Sequence, residues 1–380
     1  MAESTYGQDL ALLASRIEII ELAGGGLTRV AVAPGYQGRV MTSTLAGSEG
    51  ASFGWLNAEF IASGRFDETF NNYGGEDRFW LGPEAGQFGL WFADGEPFDL
   101  DHWKTPAGFN DGAFDVVASS DVSVEMMRRL EVANYSGASF TCGVNRKINL
   151  IDASHAGELL GESVDGLDMV AFESVNVLTN AGEAPWTRDT GLLSVWILGQ
   201  YKPLPRGKVI VPFRPASDAD LGPAATTDYF GPLPVERCTV ADDHVLFTCD
   251  GGYRSKIGVS PQRARDVVAS YDADAGVLTI VQFNLPAGAE QLPYVNSLWQ
   301  VQDDPFAGDV INSYNDGEAQ PGAGQLGPFY EIETSSPAAE LSPSESVTHV
   351  HRTMHFAGDG GKLADLAQAV LGVDIGRIAF

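Results

Sequence analysis

The sequence predicts an all-β protein built from two packed antiparallel sheets, and three observations lead there. Short runs rich in β-branched residues, each closed off by Gly or Pro, recur about fifteen times along the chain. Glycine and proline are abundant, 44 and 20 of 380 residues, as a fold of many turns requires. Helix-like spacing of apolar residues is confined to the two ends, which disfavours alternating strand-helix units. With 44% hydrophobic and only 19% charged residues, the chain can fill the core of one large β domain or two average ones.

In chain order, Leu10 and Leu13 share a face and predict a short helix over residues 5–14. Strands are expected over 16–22, 28–33, 38–44, 87–92, 123–133, 139–150 and 169–179. They continue over 192–198, 208–213, 245–248, 267–271, 277–283, 329–333 and 347–356. Asp272-Ala-Asp-Ala-Gly276 reads as a hairpin turn, ending in the residue most tolerant of positive φ. Residues 362–371 form the second helix. The stretches 215–227 and 318–325 read as loops, the latter the most mobile-looking.

The formal charge of −28, from 51 acidic and 23 basic residues, repels phosphate backbones and anionic membranes, so neither nucleic acid nor membrane is an expected partner. No run approaches the length of a membrane span, and Met1-Ala-Glu-Ser-Thr5 lacks the basic and apolar regions of a signal peptide. A cytoplasmic protein is expected, prior removal of a leader being the open alternative. Cys142, Cys238 and Cys249 are few and scattered, as for reduced thiols. A hairpin at Asp242-Asp243-His244 would set Cys238 nearly opposite Cys249, where a cross-strand disulfide is the alternative.

The most informative stretch is Asn72-Tyr-Gly-Gly-Glu-Asp-Arg-Phe-Trp-Leu-Gly-Pro-Glu84. It sets Arg78, Glu76, Asp77 and Glu84 beside the flat face of Trp80. Rings pack on the C–H faces of a pyranose while charged groups grip its hydroxyls, so this is sugar-site chemistry. Glu331 and Glu333, two apart on an expected strand, share a face. In a cleft, crowding and desolvation would raise the proton affinity of one of them and fit it for general-base work. His349, His351 and His355 likewise share one strand face, suiting a metal site or a general acid near neutral pH. A zinc site needs further ligands, and the acidic loops 302–309 and 312–317 lack calcium-loop spacing, so no metal or other cofactor is expected. Asn315 and Asp316 in the second loop are candidates to bind sugar hydroxyls or, alternatively, the turn backbone. Phosphate-loop, dinucleotide and Gly-x-Ser-x-Gly signatures are missing, which leaves hydride transfer, phosphoryl transfer and serine hydrolysis unsupported. Most of the tryptophans are expected in the core, with one or two in the cleft.

Several segments together resemble an uncharacterised bacterial family of the galactose mutarotase-like superfamily. They include Tyr36-Gln-Gly-Arg-Val-Met-Thr-Ser43, Gly74-Gly-Glu-Asp-Arg-Phe-Trp-Leu-Gly-Pro-Glu84 and Asn134-Tyr-Ser-Gly137. Further ones are Asn176–Asn180, Thr190–Gly199, Tyr253-Arg-Ser-Lys-Ile-Gly258 and Gly327–Pro337. The resemblance spans nearly the whole chain and implies one domain, 1–380, shaped as a large antiparallel β-supersandwich with a carbohydrate cleft and short terminal helices.

Epimerases of that superfamily use a late-strand glutamate as base and a histidine as acid. Glu333 resembles that glutamate, with Glu331 a close rival, and Arg78 resembles the arginine that grips substrate. Arg39, in the first matching segment, and Tyr330, before the glutamate pair, complete the candidate substrate-binding set. The mid-chain strand, Gly191–Gly199, carries no histidine where the family pattern has one; His349 or His351 is the candidate acid on their one-face alternation alone, and the resemblance does not supply it. The expected ligand is a mono- or oligosaccharide, transformed by carboxylate-assisted proton transfer. Non-catalytic sugar binding is the runner-up, and a lyase or glycoside-cleaving enzyme, using Tyr73, Tyr253 or Arg254, the third reading.

Overall fold

The computed structural model describes residues 4–320 and 322–378. The first strands are β1 (Ile20–Leu22), β2 (Arg29–Ala33), β3 (Arg39–Thr44), β4 (Arg78–Gly82), β5 (Asp115–Ser119) and β6 (Ser123–Ala133). Next come β7 (Ser139–Leu150), β8 (Leu167–Asn180), β9 (Ser194–Tyr201), β10 (Gly207–Pro212), β11 (Cys238–Val240) and β12 (His244–Thr248). The last are β13 (Ser255–Val259), β14 (Val267–Asp272), β15 (Val277–Phe283), β16 (Ile311–Asn315), β17 (Tyr330–Ser335) and β18 (Ser346–Gly358). They form a ten-stranded sheet, β11-β12-β10-β14-β15-β18-β8-β7-β6-β5, a five-stranded sheet, β13-β16-β17-β9-β4, and the small sheet β1-β2-β3.

The two large sheets pack face to face. Val209, Val211, Val268, Val281 and Phe283 of the ten-stranded sheet join Ile257, Ile311 and Ile332 of the five-stranded sheet in one apolar cluster. Each such side chain taken from water contributes roughly 1.5–3 kcal/mol, which is what drives the layers together. The far face of the ten-stranded sheet is covered by two helices, Ala153–Leu160 and Gly360–Leu371, through Leu278, Ile280, Met354 and Phe356. The second helix starts where Asp359 accepts hydrogen bonds from the Gly361 and Lys362 amides, and stops at Gly372 in the left-handed region. The first helix of the chain, Tyr6–Ala14, opens with a reciprocal cap between Thr5 and Gln8. Among the described residues no helix is long and apolar enough to cross a membrane.

The expected strands over 123–133, 139–150 and 277–283 form with those bounds, and Gly276 closes its hairpin at a φ of 63°. Other expectations are corrected. Residues 87–92 are irregular rather than a strand: Trp91 and Phe92 are buried, but their apolar run serves a winding segment, with Gly86 at a φ of 82°. Helices are not confined to the ends, because Asp152 caps an internal one by accepting from the His155 amide. Residues 311–315, read mostly as an oxygen-rich loop, form the buried strand β16. Cys238 faces Phe247 in the β11–β12 register, two residues short of Cys249, and the cysteines are free.

Candidate functional site

The outer face of the five-stranded sheet floors a cavity of about 340 Å³. Its position follows from period-two alternation. Phe79, Leu81, Val195, Ile197, Ile257 and Ile332 point between the sheets, so Arg78, Trp80, Trp196, Leu198, Gln200, Lys256 and Glu331 point the other way, and all seven line the cavity. The register aligns them in rows: Lys256 lies beside Tyr314, Tyr314 beside Glu331, and Glu331 beside Gln200. In the next row Glu333 lies between Asn312 and Leu198, and Leu198 lies beside Arg78. The Gly74–Gly75 turn sets up β4: Gly74 has a φ of 90°, and a Cβ there would come within 2.1 Å of the Trp55 carbonyl oxygen. Any side chain would push the arginine strand out of place.

Rings dominate the walls. Phe70, Trp103, Phe230, Trp299 and Phe329 add to Trp80, Trp196 and Tyr314. Loop residues Gly317, Ala319 and Leu326 close part of the rim. Arg78 lies across Trp80, 3.9 Å from its ring centre, and Arg254 lies 3.7 Å from that of Phe230. Both are cation–π contacts, an arrangement arginine favours over aromatic faces.

The carboxyls sit in unlike settings. Glu331 Oε1 accepts from Arg78 Nη2 at 2.8 Å, yet burial outweighs that cation and pushes its carboxyl up to about 8. Asp316 accepts from the Tyr314 hydroxyl at 2.6 Å and the Gly327 amide at 2.9 Å, and burial raises it from the usual carboxylate range. Glu84 accepts from the Trp103 indole at 2.8 Å. Glu333 accepts from Lys256 Nζ and the Trp196 indole, both at 2.9 Å, and is 1% exposed. Lys256 pays for its burial with this ion pair, which keeps its ammonium above the usual lysine value. Several polar atoms of this floor have no partner: Arg78 Nε and Nη1, Trp80 Nε1, Gln200 Oε1 and Glu333 Oε1.

Of the residues singled out in the sequence, Arg78, Trp80, Glu84, Asp316 and Glu331 come together on the cavity wall. Glu333 lies behind it. The others face the inter-sheet layer or the backbone, because they occupy the opposite parity of their strands or precede them. Glu76 accepts from the Ser43 amide and hydroxyl and lies 3.0 Å from His355 Nε2. Asp77 pairs with buried Arg146. Arg39 donates to the Gly74 carbonyl and Gln37. Asn315 bonds the Gly251 amide and the Tyr253 carbonyl, the backbone role open to it. The Tyr330 hydroxyl lies 2.8 Å from Ser270 Oγ of the facing sheet.

His349 and His351 are corrected most sharply. They do share a face, but it is the inter-sheet one, where Thr334 Oγ1 lies 2.8 Å from His349 Nε2 and 2.9 Å from His351 Nδ1. Burial depresses them to about 3 and about 4, the wrong direction for an acid at neutral pH. Arg254, named in the sequence only for the lyase reading, lines the cavity, as do Lys256, Gln200, Phe70 and Phe230, which were not singled out as site residues, although Lys256 stands in a segment carrying the family resemblance. Four tryptophans, not one or two, line it. Alternation through Ser255-Lys-Ile-Gly-Val259 was the signal for Lys256, visible only once that run is known to be a strand. Among the described residues no group of three or more His, Cys, Asp or Glu side chains is placed to hold a metal ion.

The antiparallel supersandwich is a galactose mutarotase-like fold. Similar solved structures include the Slr1438 protein from Synechocystis sp. PCC 6803, with 11% identity, a TM-score of 0.53, and 90% of this chain and 97% of that one covered. The GalM/aldose epimerase homologue from C. elegans is similar at 11% identity and a TM-score of 0.50, covering 90% and 99%. The chain belongs to DUF6786, a family of unknown function whose model matches residues 4–380. No curated protein matches it.

Proposed function

We propose that the cavity binds a saccharide and that Glu331 transfers a proton to its ring oxygen, exchanging the sugar's anomers as an aldose epimerase does but with a different acid–base pair. The observation that carries the reading is the convergence of Glu331 and Arg78 with the indoles of Trp80, Trp103, Trp196 and Trp299 on one wall. Rings supply faces for the sugar's C–H surface, and the unpartnered Arg78, Trp80 and Gln200 atoms supply donors and acceptors for its hydroxyls. The volume is within the range of small-molecule sites.

Burial raises the Glu331 carboxyl above the usual carboxylate range and so favours its protonated form. Glu331 delivers that proton to the ring oxygen as the bond from C1 to the ring oxygen breaks, while the anomeric hydroxyl gives its own proton to the Asp316 carboxylate, which acts as the base on the same wall. The product is an open aldehyde, and reclosure after rotation about C1–C2 runs the transfers backwards. Lys256 and Glu333 hold each other and the Trp196 indole, fixing the floor.

The test is anomer exchange of free hexoses, followed by NMR magnetisation transfer or polarimetry. The unmutated protein is expected to speed exchange, and Glu331→Gln to slow it by about 10²–10⁴-fold while still binding sugar, as removal of a general acid does. Because the required form is the protonated one, activity should fall as pH rises through about 8. Binding without any exchange in the unmutated protein would leave a pure sugar binder.

A further inference from the structure

The saccharide reading leaves the cavity's cations unexplained. Arginines elsewhere in the chain end on carboxylates, as Arg146 on Asp77 and Arg237 on Asp250, or on backbone carbonyls, as Arg128 and Arg265 do. Arg254 does not: among the described residues its guanidinium makes no ion pair or hydrogen bond, only ring contacts with Phe230 at 3.7 Å and Trp299 at 5.7 Å. Asp316, the acid whose charge it feels, already accepts from the Tyr314 hydroxyl and the Gly327 amide. Arg78 shows the same pattern more deeply buried. It is 2% exposed, stacked on Trp80, with one nitrogen on Glu331 and Nε and Nη1 unpartnered.

A guanidinium stacked by its face on a ring keeps its edge free, and the edge is the fork that matches a carboxylate or phosphate. A neutral hydroxyl would satisfy one donor at a time and would not present the paired acceptors that the fork matches. Resting on the saccharide reading, we infer that this cavity takes a sugar bearing an anionic substituent, gripped by Arg254 with the free edge of Arg78. The acidic surface of the protein is no obstacle, since these contacts are short-range and the −28 charge is spread over the whole chain.

Calorimetric titration with glucose, galactose and mannose, each beside its uronic acid and its 6-phosphate, tests the inference. One anionic form is expected to bind at least about tenfold tighter than its neutral parent, the increment of one charge-assisted contact. Whichever arm wins identifies the substituent as carboxylate or phosphate. Arg254→Met, which keeps a side chain against Phe230, should erase that preference, and Arg254→Lys should restore part of it. Equal binding of neutral and anionic forms overturns the inference and leaves the saccharide reading standing. Binding of none of these sugars overturns both. A preference that survives in Arg254→Met overturns the role of Arg254.

Discussion

The two faces of the five-stranded sheet are both buried and both meet polar groups, yet they differ in how their hydrogen bonds close. On the inner face the polar groups meet one another: Glu76 with Ser43 and His355, His355 with Thr279, Asp77 with Arg146, and Thr334 with two histidines. Few atoms there are left over, such as Asp77 Oδ2 and His351 Nε2. On the outer face the leftover atoms cluster around an open cavity. A closed network specifies how two layers dock, whereas an open one is prepared for a ligand. Buried charge alone does not separate the two cases; the unmet partners do.

Breaking the inner network should be the most damaging to the fold. Arg146→Leu strands the Asp77 carboxylate between the sheets and should cost about 3–5 kcal/mol in denaturant unfolding. An undiminished midpoint would show that this layer is not held by its ion pair. Acid is the next lever. His349 and His351 are depressed to about 3 and about 4, below the value near 6.5 of an unfolded chain. The unfolded state therefore binds more protons, and stability is present above about 6.5 and lost as pH falls through the depressed values. Each should add about 1.4 kcal/mol per pH unit in that window. Unfolding curves of His349→Gln and His351→Gln should show a shallower acid limb; an unchanged limb would assign it to other groups.

Changes on the outer face should spare the fold. Trp299→Ala removes a half-buried ring and should weaken saccharide binding by about tenfold, read by calorimetry. The smallest stability effect is expected for Glu331→Gln, because an amide resembles the protonated acid already favoured there. A shift under about 1 kcal/mol should accompany its loss of turnover. If it unfolded the protein as Arg146→Leu should, the contrast between the faces would collapse.

Much of the fold was legible. Strands such as β6, β7 and β15 are long enough, and cleanly enough punctuated, to be bounded from residue pattern alone. Strands β13 and β16 were not, since Lys256, Gly258, Asn312 and Asn315 dilute the apolar signal that marks a strand. The site was half legible. Arg78, Trp80, Glu84, Asp316 and Glu331 were picked out, but so were Glu76, Asp77 and Arg39, which belong to the inner network.

The sequence by itself determined the strand periods, the turn at Gly276, the helix caps and which side chains of one strand travel together. Once each run is a strand, Glu331 must share a face with Glu333, and His349 with His351. Only the tertiary structure decided that the first face meets a cavity and the second meets another sheet. All five strands of the floor are buried through most or all of their length on both sides, so alternation sorts their side chains into two faces without recording which face is open. That distinction is fixed by which layer packs where, through contacts between residues hundreds of positions apart, such as Arg78 with Glu331 and Glu76 with His355.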